Sequence, residues 1–176
     1  MSSGDSQVIL NRIVSLFNEF VGIEIQGFDI SEEKRLYIDS MPILIDSHFK
    51  DGICVKHNLY LDEPVYIVTL ISKGAVYEIS LKMKIDIDPD FERVREDDNT
   101  LSFITELVNL MTAAVADKYA MKLNRRVLYS PPRLVRHIFS PELIKGIDIR
   151  NRPACIIVYE FLFSEADSAI KMFLIY

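Results

Sequence analysis

Glu106 and Asn109 stand three residues apart in a run, roughly residues 99–121, whose apolar positions recur at helical spacing. Ile104, Leu107, Val108, Met111 and Val115 define one stripe that should be buried. Ser102, Glu106, Asn109 and Ala113 then fall on the other side, at intervals of four, three and four. Residues at i and i+3 project side by side from a helix, so a carboxylate and a carboxamide share one outward face. The carboxylate can take charge-assisted contacts, and the carboxamide can both donate and accept hydrogen bonds. Ala113 and Ala116 leave a shallow surface beside them that another protein could approach.

Other chemistries find little support. His48, His57 and His137 show no pairing at metal-ligand spacing, and no CxxC occurs. Cys54 and Cys155 sit within apolar runs and read as small buried hydrophobes rather than a disulfide. Asp86, Asp88 and Asp90 alternate as in a calcium loop. The sixth position of such a loop needs glycine where this chain has Phe91, and Pro89 intrudes, so the segment Asp86–Asn99 reads as a solvated linker. No glycine-rich phosphate loop and no convergent cluster of titratable residues suggests a small-molecule site.

The elements that must position Glu106 and Asn109 can be traced along the chain. Asp5 or Ser6 can cap a helix running to about Val21, with Ile9, Ile13, Leu16, Phe17 and Phe20 as its apolar stripe and Gly22 as its stop. Strands are expected over Arg35–Leu44, Gly52–Leu61, Val65–Ser72 and Ala75–Ile85, broken by short turns as in an antiparallel meander. After the motif helix come a short strand Arg126–Ser130, the pair Pro131-Pro132, a strand near Leu134–Phe139 and a mixed loop to Arg152. Two last strands, Ala154–Phe163 and Ser168–Tyr176, are joined by a turn at Ser164–Asp167. The segment Ala169–Tyr176 is so apolar that it should be a central strand or an interface edge.

Length and composition set the frame. A chain of 176 residues with 49% apolar residues can bury one sizeable core, and one domain spanning 1–176 is expected. Lys and Arg number 20 against 26 Asp and Glu, a net charge of −6, which speaks against a nucleic-acid backbone as partner. No apolar run approaches the ~20 residues of a membrane span. The opening MSSGDSQ has neither a basic nor an apolar signal region, so a cytoplasmic protein is expected.

The run Ser102-xxx-Glu106-xx-Asn109, followed after 22 residues by Pro132, resembles the [Asp/Ser]-xxx-Glu-xx-Asn-x22-Pro signature of the CheC/CheX/FliY phosphatases of bacterial chemotaxis. All four positions fit, and the order of elements resembles that family over nearly the whole chain. The resemblance implies an α+β fold, a CheC-like two-layer sandwich with a mostly antiparallel sheet and two long helices packed on it. CheC-type members carry the motif on two helices and CheX-type members once. The first helix here offers Ser15-xxx-Glu19-xx-Gly22, where glycine replaces the Asn, so one site is expected, as in CheX. Ala113 stands where the family often has glycine.

CheX-like proteins hydrolyse the phosphoaspartate of the receiver protein CheY. By resemblance, Asn109 orients a water beside the phosphoryl group and Glu106 pairs with a receiver lysine, with Ser102 and Pro132 supporting the motif. The acyl phosphate is already reactive, so no Ser/His or Cys/His set is needed. Mg²⁺ comes with the receiver's own carboxylates, and no cofactor of this chain's own is implied. The resemblance also implies a homodimer paired through strands. The competing expectation is a non-catalytic adaptor that binds a receiver or a flagellar-switch component through the same helix.

Overall fold

Helix α1 (Ser3–Leu16) forms because Ile9, Leu10 and Ile13 recur on one face, where all three are fully buried together with Phe17 of the following turn. The computed structural model describes residues 3–37, 45, 47–85, 98–135, 143–147, 153–164 and 167–176. The chain runs on from α1 into a π-helical turn, Phe17–Val21, and stops at Gly22, whose φ of 73° suits glycine and whose N–H returns to the Phe17 carbonyl. The extra residue in that turn directs Phe17 and Val21 inward. Phe20, expected in the buried stripe, is instead 51% exposed.

Among the described residues seven strands form one sheet: β1 (Gly27–Leu36), β2 (Ile53–Tyr60), β3 (Val65–Ile71), β4 (Leu128–Tyr129), β5 (Arg133–Val135), β6 (Ala154–Leu162) and β7 (Ala169–Ile175). Their order is β1-β6-β7-β3-β2-β4, with β5 also paired to β2, and every pairing is antiparallel. The expected meander is thereby corrected. Among the described strands only β2–β3 and β6–β7 are neighbours in both sequence and space, and β3 pairs with β7 from Tyr66↔Ile175 to Ile71↔Ile170. The apolar carboxy-terminal segment is a central strand, buried at every position of β7, and offers no free edge.

One strand expectation is extended and another corrected. Arg35 and Leu36 of the strand expected over Arg35–Leu44 close β1, which begins earlier, at Gly27, and residues 38–44 lie outside the described residues. Asp29, Ser31 and Glu32 are exposed on β1, which pairs only with β6 among the described residues, so its polarity follows from its place at the sheet's edge. Ala75–Ile85 is not a strand: Lys73–Lys82 is helix α2. Ser72 caps it by accepting the Ala75 N–H at 3.2 Å, and Ala75, Val76, Ile79 and Ser80 are buried at helical spacing. The acidic segment up to residue 97, the strand expected beyond Val135, most of the loop from Phe139 to Arg152, and residues 165–166 of the last turn lie outside the described residues.

The motif helix is α3 (Asp98–Leu123). Its stripe of Ile104, Leu107, Val108, Met111 and Val115 packs with Ile9 and Ile13 of α1 and Phe17 of the turn after it on one face of the sheet, over Val55, Ile67, Ile157, Tyr159, Met172 and Leu174. Each such side chain contributes about 1.5–3 kcal/mol on burial. Asp5 joins the two helices through Lys118 and Lys122, at 3.0 and 3.3 Å. The sheet's other face buries Cys54, Val68, Leu70, Ile156 and Phe173 under Ile45, Phe49, Leu143 and Ile147. The result is an α+β sandwich with an antiparallel sheet and two long helices, α1 and α3, packed on it.

Candidate functional site

On α3, Ser102 and Glu106 are exposed, and Asn109 and Ala113 are half-buried. The helical rise separates Glu106 and Asn109 by about 4.5 Å along the axis, on one outward face. Among the described residues, no hydrogen bond or ion pair holds the side chain of Ser102, Glu106 or Asn109. Ala116 does not share this surface as expected. It is 3% exposed and packs into the core.

Pro132 is half-buried in the connection between β4 and β5, both of which pair with β2. That connection is fastened at Ser130, whose N–H donates to the Asn58 carbonyl at 2.9 Å and whose hydroxyl accepts the Asn58 N–H at 3.0 Å. Strand β2 also carries α3. His57 Nδ1 and Thr112 Oγ1 lie 3.2 Å apart, and Thr112 is one turn beyond Asn109. Motif helix and proline segment are therefore both referenced to one strand.

His57 is 1% exposed and meets the Tyr129 ring edge-on at 6.1 Å. Burial lowers its pKa from 6.5 to about 4, so the ring is neutral near pH 7. Its Nε2 is buried and has no hydrogen-bond partner among the described residues. The sequence did carry a signal for this residue, since the alternation Val55, His57, Leu59 places it on the helix-covered face.

Ser15 of α1 and Glu19 of the π-helical turn are exposed, but Gly22 lies beyond the helix end in left-handed conformation, so position 22 presents no carboxamide there. Neither cysteine is in a disulfide. Burial pushes the Cys54 thiol up to about 12, while Cys155 is half-buried and donates to Glu32 Oε1 at 3.4 Å. Among the described residues no three His, Cys, Asp or Glu side chains are grouped to hold a metal ion, and no helix is long and apolar enough to cross a membrane.

No protein-family model and no curated protein matches this sequence. Solved structures do match in fold. CheX of Borrelia burgdorferi, solved in complex with CheY, BeF3 and Mg²⁺, is 13% identical, with 97% of this chain and 96% of that chain covered at a TM-score of 0.65. A CheC-like superfamily protein from Shewanella sp. PV-4 is 12% identical over 99% and 98% at 0.64. The FliM middle domain from H. pylori is 8% identical over 100% and 93% at 0.62. The chain has the CheC-like fold of these chemotaxis proteins along its whole length.

Proposed function

We propose that this chain hydrolyses the phosphoaspartate of a CheY-like response regulator. The observation that carries this is the outward face of α3, where Glu106 and Asn109 have no side-chain partner among the described residues. The likeness to a CheX solved with CheY and BeF3 supports it. In the reaction, water attacks phosphorus, the bond from phosphorus to the aspartyl oxygen breaks, and inorganic phosphate, a free carboxylate and a proton leave. The Asn109 carboxamide holds the water in line, and Glu106 sets the docking register by pairing with a receiver lysine. Fixing that water beside the phosphoryl group removes the orientational cost of the bimolecular step. Mg²⁺ arrives as part of the phosphorylated receiver, held by the receiver's carboxylates.

The test is loss of phosphate from a phosphorylated receiver. The parent should accelerate it, and Asn109→Ala should reduce the stimulation by about 100-fold or more while binding persists. Glu106→Ala should weaken docking or rate. An Asn109→Ala protein as active as the parent refutes the assignment. A second function, a non-catalytic receiver-binding or flagellar-switch adaptor, is favoured by the whole-chain likeness to a FliM middle domain. Stable receiver binding with no acceleration would select it. A protein serving such a receiver works in the cytoplasm. A homodimer would use the β1 edge, which pairs only with β6 among the described residues, and a monomeric mass in light scattering refutes it.

A further inference from the structure

The stripe by which α3 meets the sheet is aliphatic, and aliphatic contacts fix neither the height nor the rotation of a helix sharply. Directional bonds can. Thr112 of α3 lies 3.2 Å from His57 of β2, and Tyr119 donates to the hydroxyl of Tyr176, just past β7, at 2.7 Å. The first is one turn from Asn109, and the second lies ten residues beyond it along the helix. The Thr112–His57 pair is also costly. It buries a threonine hydroxyl and an imidazole, and it leaves Nε2 unsatisfied beside the Tyr129 ring. An apolar pair of the same shape would pack there without that penalty. Tyr129 precedes the Ser130–Pro132 connection, so the same contact ties the proline segment to the helix.

We infer that Thr112 and His57 are positioning residues that set the height and rotation of Asn109 toward the phosphoryl group. This rests on the phosphatase function proposed above. Neither residue touches the substrate; both act through the helix that carries Asn109.

The experiment compares the parent, Thr112→Val and Thr112→Ser under steady-state turnover of a phosphorylated receiver, with hydrogen exchange along residues 105–113. Valine keeps the shape and loses the hydroxyl; serine keeps the hydroxyl. Thr112→Val should lower kcat about tenfold at unchanged KM, since small misplacements of a reacting group are costly, and Thr112→Ser should stay within about twofold of the parent. Exchange at 105–113 should quicken in the valine variant only. A valine variant with the parent's kcat, or valine and serine variants impaired alike, overturns the inference. A parent that does not accelerate dephosphorylation refutes the phosphatase function itself. In that case quickened exchange in the valine variant alone still supports the anchoring of α3, and unchanged exchange overturns it.

Discussion

Acidification should cost this protein stability through a single buried ring. Burial holds His57 neutral by lowering its pKa from 6.5 to about 4. Thr112 and Tyr129 face the ring, and neither changes charge in acid. In the unfolded chain the imidazole titrates near its ordinary value. Between pH 6.5 and 4 the unfolded state therefore binds a proton that the folded state refuses. Stability is present in full above the unfolded pKa, falls as pH drops, and levels off below the folded pKa. A gap of about 2.5 units gives a total loss of about 3 kcal/mol, of which about 2 kcal/mol has gone by pH 5. That is a large share of the ~5–15 kcal/mol that holds an ordinary domain folded. Urea unfolding of the parent and of His57→Leu from pH 8 to pH 4 measures it. Subtracting the variant removes the titration of the 26 carboxylic side chains, which both proteins share. The parent should lose about 2 kcal/mol more than the variant between pH 8 and pH 5. A difference that stays flat over that range, or a folded-state His57 resonance titrating near pH 6.5, refutes the reasoning.

Three further substitutions probe the frame around the site. Gly52→Ala would drive a methyl group onto the Ile71 carbonyl oxygen and to 3.0 Å from the Phe49 oxygen, both backbone atoms, so a loss of about 1–3 kcal/mol is expected in denaturant titration. Lys56→Met removes the ammonium that donates to the Leu143 and Lys145 carbonyls at 3.0 and 2.9 Å; about 2 kcal/mol should be lost, with faster hydrogen exchange across 143–147. Gly22→Asn should fold with a penalty under about 1 kcal/mol, because a Cβ there meets no atom within 4 Å and Asn tolerates the left-handed region. It should not restore phosphate release to an Asn109→Ala protein, since residue 22 lies past the helix end.

The candidate site was legible because it is local. The period of the aliphatic stripe on α3 suffices to turn Ser102 and Glu106 outward, and no distant contact had to be known. Ala116 was misplaced by the same rule, since a residue at the flank of a stripe is buried or exposed according to how the helix tilts on its sheet. His57 was read only as a histidine without metal-ligand pairing, because its partner, Thr112, is 55 residues away.

The sequence alone determined the elements whose signals are continuous and strong. These are α1 with its glycine stop, α3, and the β-branched runs of β2, β3, β6 and β7, where local periodicity and tertiary burial agree. Only the tertiary structure decided that residues 73–82 are helical, since their apolar residues suit either period and the Ser72 cap tips the balance. It alone decided that the polar segment Gly27–Leu36 is a strand, because an edge position tolerates a sequence that a central one would reject. It also decided the strand order, because β3–β7 and β1–β6 are pairings between residues about a hundred or more apart, and such contacts leave no trace in a local window.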